Sequence, residues 1–246
     1  YSTKWLRASR TGGQVSTMPL FSAEDLTAFL ITLKLAAVTT GILLLISTPL
    51  AWWLATTRAR FRGLVEALIA LPLVLPPTVL GFYLLLALSP DGVIGSLTEL
   101  LGLPSLAFSF WGLVLGSVIY SLPFAVQPLQ SGFLSIGHRP LEAAASLGAT
   151  PWDSFLSIVL PLSKNAYLTA AVLCFAHTLG EFGVVLMIGG NIPGETHVLS
   201  IAIYDHVESI QYQNAHVLSG SLLLFSVLIL LLVYRGKHQH FSVVKA

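Results

Sequence analysis

The sequence predicts an all-α membrane protein whose chain crosses the bilayer five times. Of its 246 residues, 55% are hydrophobic and only 9% are charged, whereas a soluble domain has roughly 25% charged residues. Several stretches also reach the roughly 20 apolar residues that a helix needs to cross the hydrocarbon core. The predicted spans are residues 26–57, 66–88, 106–130, 165–188 and 215–234.

The distribution of basic residues orients these spans. Lys and Arg lie in the first loop, in the third loop and in the C-terminal tail: Arg58, Arg60 and Arg62; Arg139 and Lys164; Arg235, Lys237 and Lys245. Loops 89–105 and 189–214 contain neither Lys nor Arg. Because cytoplasmic loops carry an excess of basic residues, the second and fourth loops are predicted outside. The N-terminus is then outside and the C-terminus inside.

The first 17 residues differ from the rest of the chain. They are polar and contain no apolar segment like that of a signal peptide, so we expect a non-native or upstream tail. Residues 18–246, beginning at Met18, are then one transmembrane domain. Ser22, followed by Glu24 and Asp25, is predicted to cap the first helix.

The second span is rich in proline, at Pro72, Pro76 and Pro77. Proline lacks a backbone N–H and bends a helix, which a membrane tolerates where neighbours or water satisfy the freed carbonyls. We therefore expect a bent helix that lines a cavity. The alternative is a bend that only fits a neighbouring helix.

The third loop, residues 135–162, is predicted to contain two short helices. The first starts at Arg139, has Glu142 in its first turn, and ends at Gly148 in a left-handed conformation. Thr150 is a candidate N-cap for the second, with Pro151 in its first position. Three successive alanines after Glu142 give the first helix a face of little bulk.

This loop resembles the cytoplasmic coupling loop in the membrane subunits of binding-protein-dependent ABC importers. The resemblance rests on Glu142-Ala-Ala, on Gly148 six residues later, and on Ile158-x-Leu160-Pro161. It implies that the loop docks on a separate ATPase. The implied coupling residues are Arg139, Glu142, Ala143, Ala144, Gly148, Pro151, Trp152, Leu160 and Pro161. The alternative is an ordinary surface helix-turn-helix.

The fourth span contains Glu181, which is costly in a membrane unless paired or hydrated. His177 precedes it by four residues, so an unbroken helix places both on one face. We expect a His–Glu pair that acts as a gate or, alternatively, only ties helices together. Lys34 in the first span either reaches outward to water or attracts an anion. The pathway candidates are Pro76, Pro77, His177, Gly180, Glu181, Gly183 and Lys34.

Three segments narrow the resemblance to molybdate or tungstate permeases: residues 71–81, Gly180-Glu-Phe-Gly183 and Asn191-Ile-Pro-Gly-Glu-Thr196. Sulfate or thiosulfate permeases share part of the pattern and remain an alternative. The resemblance implies an oxyanion pathway in a bacterial inner membrane and an external substrate-binding protein. With only five spans and no internal repeat, we expect a homodimer of this chain with two ATPase subunits.

The chain itself contains no Gly-x-x-x-x-Gly-Lys-Ser/Thr motif, so it is not expected to hydrolyse ATP. Its single cysteine, Cys174, and the absence of a His-Glu-x-x-His spacing predict no metal site, no cofactor and no catalytic residue. The net charge of +1 gives no indication of nucleic-acid binding. An intramembrane enzyme and a passive channel are the remaining function classes, and a channel would not need a coupling loop.

Overall fold

The computed structural model describes the backbone of residues 22–238 and the side chains of residues 22–231. Within that range the protein is helical and has no strand. The helices are α1 Ala23–Thr56, α2 Arg62–Val74, α3 Pro77–Leu88, α4 Val93–Leu100, α5 Phe110–Ile136, α6 Arg139–Ser146, α7 Pro151–Ser154, α8 Leu160–Leu162, α9 Lys164–Leu179, α10 Gly183–Gly189, α11 Leu199–Glu208 and α12 Tyr212–His238. The predicted tail 1–17, Lys245, and the side chains of Arg235 and Lys237 lie outside the described residues.

The all-α, polytopic prediction is confirmed. Four helical stretches are long and apolar enough to cross a membrane: Ala23–Thr56, Pro77–Leu100, Phe110–Ile136 and Tyr212–Leu231. A fifth is present if Pro151–Leu162 and Lys164–Leu179, which meet at 69°, count as one broken span. The prediction of one helix over residues 165–188 is wrong, because α9 ends at Leu179 and α10 starts only at Gly183.

Helices α1, α5 and α9 form the central bundle. Their shared core contains Leu35, Leu43, Leu113, Ala125 and Cys174, which bury apolar side chains at close-packed density. At the start of α1 the predicted cap is present. The Ser22 hydroxyl accepts from Asp25 N, and the Asp25 carboxylate accepts from Ser22 N, both at 3.0 Å.

The proline-rich segment breaks the second predicted span into two helices. α2 ends at Val74, Pro76 is extended with φ −56° and ψ 134°, and Pro77 starts α3. A proline in the first position of a helix loses no hydrogen bond, because that N–H has no partner inside the helix. The bend expected from sequence is therefore a complete interruption of the helix.

Both predicted outer loops contain helices, and α11 is part of the core. Its residues Leu199 and Ala202 are buried with Ala28 of α1 and Leu218 of α12. Inside this contact the Leu199 N–H donates to Thr32 Oγ1 at 2.8 Å. The sequence did not indicate this buried helix within the fourth loop, because a ten-residue helix is too short to be recognised as a membrane span.

The two predicted inner loops lie at the same end of the bundle. Phe61 of the first loop stacks on Trp53 of α1, and the Trp52 ring lies 5.5 Å from that of Phe155 in the third loop. At the opposite end, Asp25 and His206 are 3.0 Å apart. The fold thus groups the loops as predicted, while the end that faces the cytoplasm stays a prediction.

Candidate functional site

The first helix of the third loop, α6, ends in a left-handed glycine cap. Gly148 has φ +84°, and its N–H donates to Ala145 O while the Ala149 N–H donates to Ala144 O. This hydrogen-bond pattern closes a helix end and favours glycine, because other residues are strained at positive φ. The predicted end of α6 is therefore confirmed, with Glu142 in its first turn.

The second helix, α7, begins with the predicted N-cap. Thr150 Oγ1 accepts from Asp153 N at 3.1 Å, and the Asp153 carboxylate accepts from Thr150 N at 3.2 Å. The hydrogen bonds from the Thr150 side chain and backbone hold the pKa of Asp153 below its usual value. This contribution to stability is present above the usual Asp pKa and is lost as pH falls through the lowered value.

We call α6 and α7 together the loop helix pair, and it has an anchored side and a free side. Leu141 and Phe155 pack against the cluster that contains Leu54 and Phe133. Among the predicted coupling residues only Ala144 is buried, whereas Trp152 is 67% exposed. The free side includes the exposed apolar side chains of Leu147 and Trp152 and the exposed carboxylates of Glu142 and Asp153. Leu156, Leu160 and Leu162 are exposed in the segment that follows the pair. A large exposed apolar surface of this kind marks an interaction site.

A π-helical turn, Phe155–Val159, joins α7 to the short helix α8, which precedes α9. Pro161 has no N–H, so the carbonyl one α-helical turn earlier loses its donor, and a wider turn accommodates this loss. The Leu160 N–H accordingly donates to Phe155 O, five residues back. Beyond α8 the chain bends by 69° before α9.

A cavity of about 560 Å³ lies beside the break between α9 and α10. Its lining residues are Pro77, Thr78, Tyr120, Ala176, His177, Gly180, Glu181, Phe182 and Gly183. Five of the seven pathway candidates therefore meet at one cavity. Pro76 and Lys34 do not line it; the Lys34 Nζ lies 4.4 Å from the centre of the Phe110 ring.

Glu181 is buried at 4% exposure, and neither of its carboxyl oxygens has a hydrogen-bond partner among the described side chains. Ser117 on α5 is buried near this carboxyl group, and its hydroxyl likewise has no hydrogen-bond partner among the described residues. The Glu181 backbone is fixed, because its carbonyl accepts from Ser200 Oγ at 2.6 Å.

The expected His177–Glu181 pair is not formed. α9 ends between the two residues, so the helical i, i+4 relation does not apply. His177 Nδ1 instead lies 2.8 Å from Ser121 Oγ, and its ring stacks on Phe124 with centroids 4.1 Å apart. Both residues line the cavity, but no hydrogen bond or ion pair joins them within residues 22–231.

Gly183 permits the contact between α10 and α3. A Cβ atom at this position would lie 2.8 Å from Pro77 Cβ, which is closer than carbon atoms approach without displacement. The close approach of α10 to α3 therefore requires a residue without a Cβ at this position. At Gly180 there is no such close approach, because a Cβ there would meet no atom nearer than 3.9 Å; this glycine ends α9 instead.

Comparison with known proteins identifies the family. The family model of the binding-protein-dependent transport system inner membrane component matches residues 47–241. The chain belongs to this family. It is accordingly a transport subunit rather than an enzyme in itself.

The relatives of this inner membrane component are named for two kinds of transported substrate. The molybdenum transport system permease protein ModB of Azotobacter vinelandii is 57% identical over 89% of this chain and 97% of its own length. A probable sulfate transport system permease protein of Zygnema circumcarinatum is 32% identical over 85% of this chain and 72% of its own.

A solved structure shows the same fold as this inner membrane component. It is the crystal structure of a bacterial ABC transporter involved in alginate import, with a TM-score of 0.70 and 19% identity, covering 92% of this chain and 82% of that one.

The sequence did not indicate two of the residues that line the cavity, Tyr120 and Phe182, nor Ser117 and Ser121, which are buried near it. Tyr120 and the hydroxyls of Ser117 and Ser121 lie on α5, and neither spacing nor charge distinguishes them from other residues of that span. Phe182 was inside the quoted Gly-Glu-Phe-Gly segment but was not selected. Its ring packs against Tyr204 of α11 at 5.2 Å, a contact that depends on the unpredicted helix.

Proposed function

We propose that this chain is the permease subunit of an ABC importer and forms the membrane pathway for an oxyanion, molybdate or the similar tungstate. The observation that carries the proposal is the 57% identity to a molybdenum permease across 97% of that protein. Sulfate is the second candidate, favoured by the 32% identity to a sulfate permease. The wide gap between the two identities supports molybdate.

The loop helix pair is proposed as the docking site for the ATPase. Its fixed geometry supports this role, because both helices are capped and Leu141 and Phe155 anchor them to the bundle. Trp152 projects from the pair with 67% of its surface exposed. A rigid exposed Trp is typical of residues that dominate a protein–protein contact. Glu142 and Ala143 are also exposed and complete the free side.

The cavity beside Glu181 is proposed as part of the pathway. No Lys or Arg lines it, so an oxyanion there would be held weakly and released readily, which suits conduction. Selection of the ion is then the task of an external substrate-binding protein. Lys34, away from the cavity, is proposed only to attract anions near the outer end.

The proposed assembly contains two copies of this chain and two ATPase subunits in the inner membrane, with residues 18–246 of each copy as one transmembrane domain. Loops 89–105 and 189–214 are proposed to face the binding protein, since they lack basic residues. The loop helix pair then faces the ATPase in the cytoplasm.

Reconstitution tests this function. The chain, its ATPase and its binding protein are placed in liposomes, and uptake of radiolabelled molybdate is measured with and without ATP. We expect ATP-dependent uptake that excess tungstate suppresses and excess sulfate does not. Suppression by sulfate at equal concentration would transfer the proposal to the sulfate branch, and uptake without ATP would indicate a channel.

A pair of tryptophan variants tests the docking site. Trp152→Ala is expected to reduce the amount of ATPase that copurifies with the chain. Trp111→Ala is the matched control, because Trp111 is 60% exposed at the other end of the bundle. Equal loss of ATPase from both variants would contradict docking at the loop helix pair.

A further inference from the structure

The helices around Glu181 provide no basic side chain to balance a carboxylate. Helices α3, α5 and α10, which form three sides of its surroundings, contain no Lys or Arg in their sequences. On α9 the single Lys is in the first turn, sixteen residues before the helix end at Gly180, and so about 24 Å away. On α1 the single cation, Lys34, is exposed beside Phe110.

The titratable groups that face the cavity do not supply this charge either. Tyr120 of α5 and His177 of α9 line it, and Tyr204 of α11 packs on the neighbouring Phe182. His177 is engaged with Ser121 and stacked on Phe124. It makes no contact with a carboxylate among residues 22–231. A buried ionised carboxylate without a cation or hydrogen-bond donors is strongly unfavourable.

We propose that Glu181 is a proton-binding site, occupied in this conformation, and that its ionisation blocks the anion pathway. The proton comes from water in the cavity and returns to it, so the step is a reversible acid–base equilibrium of one carboxyl group. In the acid form the O–H donates to the Ser117 hydroxyl oxygen, which satisfies two groups that otherwise have no partner.

The charge state of Glu181 has a direct effect on an oxyanion. A carboxylate at the wall of a cavity with low polarity repels a dianion, whereas a neutral acid does not and is itself a hydrogen-bond donor. This part of the inference rests on the proposed function, because it requires that an oxyanion passes the cavity. The protonation itself does not depend on it.

Infrared spectroscopy tests the protonation without any transport. The purified complex of this chain with its ATPase is expected to show a carboxylic acid C=O band that is absent in Glu181→Gln. Glu99→Gln, which removes an exposed carboxylate on α4, should leave the band unchanged. In Ser117→Ala, which keeps Glu181 itself, the band should shift to higher frequency as its hydrogen bond is lost. A spectrum without a band that responds to either Glu181→Gln or Ser117→Ala overturns the inference.

The pH dependence of uptake tests the consequence. The wild-type uptake rate should follow the protonated fraction of Glu181. Well above the pH at which half of the band has disappeared, it should therefore fall about tenfold for each pH unit. Glu181→Gln should transport at the low-pH wild-type rate throughout. Glu24→Gln, which removes an exposed carboxylate in the first turn of α1, outside the two outer loops, should follow the wild type. A pH-independent wild type in which the band does titrate would overturn the blocking role. If the band is present but no oxyanion is taken up at any pH, the proposed function fails while the proton site stands.

Discussion

Gly148 offers the sharpest test of the loop helix pair, through the substitution Gly148→Val. The residue has φ +84°, and an added Cβ would meet no atom within 4 Å. The cost therefore comes from the backbone alone. A left-handed conformation costs an L-residue about 1–2 kcal/mol, and more for a β-branched one. A difference of this size lowers the population of the native arrangement about 5- to 30-fold.

The expected result is loss of coupling with retention of the membrane fold. ATP-driven oxyanion uptake should decrease, and the ATPase should no longer respond to loaded binding protein, while the complex remains intact in detergent. Gly102→Val is the matched control, because Gly102 has φ +67° and equally open surroundings but lies in the second loop. Because Gly102 lies in a loop proposed to face the binding protein, Gly102→Val controls only for the cost of the strained backbone, measured as the melting temperature of the complex. Normal coupled uptake in Gly148→Val would refute the reasoning.

Three further predictions concern topology, packing and the cavity. Ser96→Cys and Ser146→Cys, both at exposed positions, should react with an impermeant thiol reagent from opposite sides of the membrane; labelling from one side would contradict the predicted topology. Thr32→Val leaves the buried N–H of Leu199 in α11 without its acceptor. It should lower the free energy of unfolding by about 1–3 kcal/mol and so lower the melting temperature, and an unchanged melting temperature would show that this bond is dispensable. Because no ion pair joins His177 to Glu181, neither change should leave the other residue as an unpaired buried charge. Glu181→Gln should therefore not stabilise the His177→Ala variant more than it stabilises the wild type, as measured by melting temperature, and a clear rescue in the double variant would indicate a direct interaction.

Features that depend on neighbours in the chain were predictable. The caps at Thr150 and Gly148 and a departure from straight helix at Pro72, Pro76 and Pro77 follow from residues that are adjacent in sequence, because capping and proline geometry act within one helical turn. The complete interruption at Pro76 was not predicted. The all-α class followed from composition in the same way. These signals located the loop helix pair almost to the residue.

Features that depend on distant segments were not predictable. The break after Leu179 accompanies the contact of Gly183 with Pro77, about a hundred residues earlier in sequence, and the bond from Ser200 to the Glu181 carbonyl. Once the helix is broken, the spacing of His177 and Glu181 no longer predicts their contact. Burial of α11 likewise depends on α1 and α12, which it meets only in the folded chain.

The 69° bend between α8 and α9 has a mechanical consequence. α9 has 16 residues and is therefore about 24 Å long, with the loop helix pair near one end and the cavity at the other. For a helix of this length, a tilt of about ten degrees at Ser163 corresponds to a sideways displacement of about 4 Å at the far end of α9, where α9 packs against α1 and α5. That distance is comparable to the width of a side chain. A small rotation at the surface where the ATPase is proposed to dock is thus amplified into a displacement large enough to reshape the wall beside Glu181.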